Sequence, residues 1–234
     1  MEIAPGIYSM SQRQGAYVHA FLLDDGNGLT LIDTLYDTDA HRILAELQRI
    51  GKTPQDIKHI IMTHCHRSHL GGLARLKELS GAPIYAHEWE VDLIAGERKQ
   101  QPVSWLPHQP ARVWPLQIAL NLGVAKHPPA TVDNYIYEGD QVGPLRIVAC
   151  PGHSPGHLSF WWEEQRLLIA GDAICTWPTL LLGWRGFTLN LRQHKESVRR
   201  LAEFDSEILC VGHGDPLPAG AAQQIRAALP TLDK

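Results

Sequence analysis

Apolar and polar positions change period in a regular order along this chain. "AYVHAFLLDD" and "GLTLIDT" are β-type runs joined by "DGNG", whose Gly and Asn tolerate the positive φ of a hairpin turn. "DAHRILAELQRIG" then sets Ile43, Leu44, Leu47 and Ile50 at helical spacing and closes on Gly51. "DIKHIIM" and "APIYAH" predict short strands, and "LARLKELSG" and "EWEVDLIAGE" predict helices. The later half repeats the theme. "GPLRIVACPG", "HLSFWWEE" and "RLLIAGDAI" predict strands, followed by the helix "HKESVRRLAEF", the strand "EILCVGHG" and the helix "AGAAQQIRAALP". This alternation implies an α/β layered protein with helices covering sheet faces. "LTLIDT" and "LLIAGDA" match as apolar strands ending on an Asp, a weak sign of internal duplication.

Residues 97–135 break the pattern, with Pro and Trp interspersed. A connection this long inside a compact domain is usually functional or carries its own helix. The expectation is a single domain over residues 1–234 with a cap or insertion at about 97–135.

Composition narrows the function. The 234 residues are 44% hydrophobic and 20% charged, enough for one sizeable core and without a polar low-complexity tract. A formal net charge of −4, with no dense Lys/Arg block, argues against a nucleic-acid partner, which needs a concentrated basic surface. No run approaches the roughly 18 apolar residues of a membrane span, and the first residues lack a basic and then apolar leader pattern. A cytoplasmic protein with no membrane partner is therefore expected. The four cysteines show no CxxC spacing and lie in or beside apolar segments, which predicts reduced, buried thiols.

The chemistry concentrates just past strand ends. "THCHRSHLGG" places His64, His66 and His69 within six positions, and alternation sends the first two imidazoles from one face of an extended chain. His69 is expected in the first turn of the next helix. "CPGHSPGH" adds His153 and His157, "AGDAI" adds Asp172, and "VGHGD" adds His213, each flanked by Gly. A lone His is usually idle. Loops at one sheet edge can converge, however, and nitrogen plus carboxylate ligands suit Zn, Fe or Mn.

These segments, in this order, resemble the metallo-β-lactamase-fold hydrolases, the broad group that includes glyoxalase II-like thioesterases and lactonases. The resemblance covers almost the whole chain and implies a four-layer αβ/βα sandwich with its metal site at one edge of two sheets. By the family pattern His64, His66 and His153 would hold one metal, Asp172 would bridge, and His69 and His213 would hold a second. One or two zinc ions per chain are implied, with iron or manganese as alternatives. His157 is not carried over as a ligand and is expected to be a hydrogen-bonded loop residue.

The family motif is H-x-H-x-D-H, and its Asp position is Ser68 here. A neutral hydroxyl binds a cation and accepts a proton poorly beside a carboxylate, so the second metal position should be weak. Ser68 can keep a helix N-cap role, which Ser and Asp both favour. Asp172 and Ser68 are thus the positions of catalytic interest, and Asp33 is expected either to orient a ligand histidine or to serve as a strand-end turn residue.

The resemblance implies hydrolysis of a small ester, lactone or thioester by hydroxide generated at the metal. Its rivals are a mononuclear non-haem iron enzyme resembling the persulfide dioxygenases, and a non-catalytic metal-binding member of the fold. Trp105, Trp114, Trp177 and Trp184, with the apolar "TWPTLLLGWRGF", predict a pocket for a small-molecule substrate with an apolar group. A homodimer is among the assemblies left open.

Overall fold

The computed structural model describes residues 1–101, 103–123 and 126–233. Pro102, Val124 and Ala125 of the expected cap lie outside the described residues. The chain forms two compact units, Met1–Gln100 with Ala125–Ile136, and Gln101–Val124 with Tyr137–Lys234.

The first unit is built on a seven-stranded sheet: β1 (Glu2–Ala4), β2 (Ile7–Gln12), β3 (Val18–Asp24), β4 (Leu29–Ile32), β5 (Ile57–Ile61), β6 (Ile84–Ala86) and β7 (Asn134–Tyr135), paired in that order. β1 to β4 run antiparallel to their neighbours, and β4 to β7 run parallel. The turn between β3 and β4 uses Gly26 and Gly28 at φ +85° and +141°, as "DGNG" requires. Parallel neighbours need crossovers, and the helices His41–Arg49 and Leu73–Ser80 supply them. Each is amphipathic and buries the residues its period selects, Ile43 and Leu47 in the first and Leu73 and Leu76 in the second.

The second unit carries a five-stranded sheet in the order β12-β11-β10-β9-β8, with β8 at Gln141–Val142, β9 at Leu145–Ala149, β10 at Leu158–Trp162, β11 at Leu167–Ile169 and β12 at Ile208–Cys210. β11 and β12 are parallel, joined through the helix Leu191–Leu201. That helix starts three residues before the expected "HKESVRRLAEF". Asn190 explains the earlier start, because its side chain accepts the Gln193 amide and caps the first turn. Every residue of β10 is buried, Trp161 and Trp162 included. Residues 101–123 hold the helix Trp114–Asn121, with Pro115 in its first turn.

β1 and β2 were not anticipated. β2 lacks clean alternation because Ser9 is buried, its hydroxyl 2.8 Å from Nδ1 of His19 on β3, which replaces an apolar contact by a hydrogen bond. Among the described residues no helix is long and apolar enough to cross a membrane.

The segment after the three histidines is fixed by close backbone approach. Gly71 N–H donates to Leu35 O at 2.8 Å. A Cβ at Gly71 would collide with the Tyr36 carbonyl and lie 2.7 Å from Leu35 O, and neither backbone group can yield cheaply. Gly71→Ala should therefore cost about 2 kcal/mol of stability; an unchanged urea midpoint would contradict this packing.

All four cysteines are free and buried. Burial raises each thiol above its ordinary range, Cys150 to about 11. Folding thus favours the protonated thiol, and the contribution is complete below the unfolded value near 8.5. Stability should fall as pH rises from there towards 11. At pH 8 a disulfide reagent should label the thiols only in denaturant; rapid labelling of the native protein would contradict their burial.

Candidate metal centre

In the first unit the three histidines of "THCHRSH" follow the carboxyl end of β5. β4, paired parallel beside it, ends on Asp33, whose side chain is buried. One Asp33 oxygen accepts the Thr63 amide at 2.8 Å, and the other accepts the Thr63 hydroxyl at 2.7 Å. The latter oxygen also lies 2.9 Å from Nδ1 of His69.

These bonds settle two tautomers. A carboxylate only accepts, so His69 carries its proton on Nδ1 and presents Nε2 as a lone-pair nitrogen. The Thr63 hydroxyl gives its one hydrogen to Asp33 and can only accept from Nδ1 of His64, 3.0 Å away. His64 is therefore also protonated on Nδ1, with Nε2 bare. That Nε2 lies 3.1 Å from Nδ1 of His66, and the His64 and His69 rings are 4.3 Å apart. Three imidazoles converge, two of them held in ligand form by one buried carboxylate. Asp33 thus stands at the strand end and orients His69 directly and His64 through Thr63.

Two expectations for this loop fail. His69 lies in a turn, and the helix begins only at Leu73. Its N-cap is Gly72, which has no side chain to offer, so Ser68 caps nothing. The two glycines explain the delay, because Gly71 and Gly72 bond back to Leu35 O and Thr34 O before the chain turns helical. Ser68 is instead packed beside Gly15, where an ideal Cβ would lie 3.1 Å from that of Ser68. Arg67 holds the same turn: its Nη1 donates to Tyr36 O at 2.6 Å, and its guanidinium sits 4.2 Å over the Tyr36 ring. Cys65, between two of the histidines, points elsewhere and donates to Glu90 O.

In the second unit His153 follows β9, Asp172 follows β11 and His213 follows β12. One Asp172 oxygen lies 3.4 Å from Nε2 of His153 and 3.2 Å from Nε2 of His213, and all three residues are buried. The Asp172 amide donates to Nε2 of His157 at 3.0 Å. His157 is therefore a hydrogen-bonded loop residue that fixes the turn carrying Asp172. Spacing alone could not show this, since His153 and His157 look equivalent in sequence.

The tryptophans divide. Trp184 is buried and stacks on His213 at 4.5 Å, and Trp177 lies 6.1 Å from Trp184. Trp105 and Trp114 are 56% and 39% exposed, the indole of the second donating to the backbone of the first.

The donors of each unit fit a metal: buried imidazoles with unprotonated Nε2 in the first, and a buried carboxylate between two imidazoles in the second, are the groups a borderline divalent ion prefers.

The description "Metallo-beta-lactamase superfamily" matches residues 13–213. The chain belongs to that superfamily and has its fold. It is 28% identical to the "Probable metallo-hydrolase YflN" of Bacillus subtilis (strain 168), over 92% of this chain and 86% of that one. It is 28% identical to a hydroxyacylglutathione hydrolase of Bdellovibrio bacteriovorus, over 51% of this chain and 35% of that one. A metallo-beta-lactamase family protein of Thermus thermophilus superposes with a TM-score of 0.72 at 25% identity, covering 99% of this chain and 80% of that one. The protein TTHA1623, solved in a di-iron-bound form, gives 0.65 at 26% identity, covering 89% and 93%.

Asp33→Ala would leave the buried Thr63 amide without its acceptor and should cost about 2 kcal/mol. In the metal-free protein, imidazole nitrogen NMR should find His64 and His69 protonated on Nδ1. Asp33→Asn should disturb that tautomer at His69, because an amide can donate where the carboxylate only accepts; an unaltered His69 spectrum would contradict the assigned role.

Proposed function

We propose that this member of the superfamily is a metal-dependent hydrolase of a small ester, lactone or thioester. In this reading the metal ligands are His64, His66 and His69 of the first unit and His153, Asp172 and His213 of the second. The observation that supports it best is the proton placement enforced by Asp33 and Thr63, which leaves Nε2 of His64 and of His69 in ligand form. A fold needing only buried histidines has no use for that arrangement. The names of the metallo-hydrolase and hydroxyacylglutathione hydrolase relatives point the same way.

A divalent ion, when bound, lowers the pKa of water towards about 7 and polarises a substrate carbonyl. The remaining work belongs to the chain. Asp33 holds His69, and through Thr63 also His64, so that neither ring must reorient to bind. His157 accepts the Asp172 amide and so fixes that turn, and one Asp172 oxygen lies beside both His153 and His213. Trp184 covers one face of His213 and excludes water from it. Ser68 contributes no charge, so a second ion is held more weakly than the first. The substrate carries an apolar group, for which the leucines and tryptophans of residues 176–187 are suited.

Zinc is the first choice of metal for a three-histidine set, and the di-iron form of TTHA1623 makes iron the alternative. The test is a panel of esters, lactones and thioesters presented to protein loaded with zinc or with iron. Turnover should appear with apolar acyl groups and fall to background in His64→Ala and His153→Ala with the fold intact. Full activity in either variant would sink the proposal, and oxygen uptake on a persulfide by the iron form alone would replace hydrolysis with oxygenation.

A further inference from the structure

The second unit contains a cavity of about 170 Å³ beside the loop that follows Leu180. An apolar hole of roughly 150 Å³ accepts benzene, so this one has room for a single ring. Leu181, Leu182, Leu191 and Leu232 line it. At its edge stand two cations, Arg185 and Lys195. Arg185 is exposed, its guanidinium makes no ion pair or hydrogen bond among the described residues, and it also borders two adjoining hollows. Lys195 is only loosely engaged, 3.4 Å from Asp233.

His194 also lines the cavity and is 2% exposed. Its Nε2 lies 2.9 Å from Leu182 O, and a carbonyl only accepts, so Nε2 carries the proton. Burial lowers the pKa of this histidine, which keeps the ring neutral. Its Nδ1 is enclosed, so the neutral ring adds no charge to the cavity.

A largely apolar hole and a cationic edge define a ligand. We propose that this cavity binds a small aromatic carboxylate, with its ring among the leucines and its carboxylate at Arg185 and Lys195. The site is distinct from the strand-end histidines. It is connected to them along the chain, since the loop between Leu182 and Arg185 carries Trp184, whose ring stacks on His213.

The test is calorimetric titration of the purified protein with phenylacetate. Binding should weaken about tenfold in Arg185→Ala/Lys195→Ala, the loss expected for a charge-assisted contact. It should weaken to a similar extent for phenylacetamide, which lacks the charge, and persist in His64→Ala, which separates this cavity from the proposed metal ligands. Near-ultraviolet dichroism checks that each variant is folded. Absence of binding, equal affinity in the double variant, equal affinity for phenylacetamide, or loss of binding in His64→Ala would overturn the site. Because the titration needs no turnover, its failure is independent of whether the protein is a hydrolase.

Discussion

Asp33 accepts two hydrogen bonds from Thr63 and stands 2.9 Å from His69, all within a buried volume at the ends of two parallel strands. A carboxylate in such a place is expensive unless its oxygens are satisfied, and here the groups that satisfy it are those that must be oriented. The backbone conformation reflects the same constraint. Asp33 and Leu35 both adopt positive φ, +56° and +61°, so that the chain leaving β4 can meet the histidine turn and accept the Gly71 amide. Strain of this kind persists where surrounding contacts over-determine it, and it clusters at functional sites.

Much of this was legible in the sequence, and the reasons differ by element. The hairpin at "DGNG" and the helices at Ile43–Ile50 and Leu73–Ser80 could be read because local chemistry and burial agree there. The His64–His66 pair was legible because period two in an extended chain is geometrically unambiguous. The start of the helix after His69 was not, since Ser68 mimics a capping residue while Gly71 and Gly72 are committed to Leu35 and Thr34 in a distant segment. The roles of Thr63, His157 and Trp184 depend likewise on contacts to residues far away in sequence. Aromatic content alone does not tell buried from exposed rings: Trp184 is buried against His213, whereas Trp105 and Trp114 stay exposed.

At Ser68 the chain has a hydroxyl where the resemblance drawn from its sequence leads to an Asp. The structure gives the position a close neighbour in Gly15, at φ +76°, and an anchor in Arg67 bound to Tyr36. The turn is thus well supported without a carboxylate. Under the proposed function, an uncharged Ser68 bears on the holding of a second cation rather than on the fold.

The proposed role of Asp33 is to hold His64 and His69 ready for a metal, within one unit of the chain. The direct measurement is zinc titration of the wild type and of Asp33→Asn, with near-ultraviolet dichroism to check the fold. Zinc affinity should fall about tenfold in the variant, the usual cost of losing a group that orients a ligand histidine. Equal affinity in a folded variant would contradict that role.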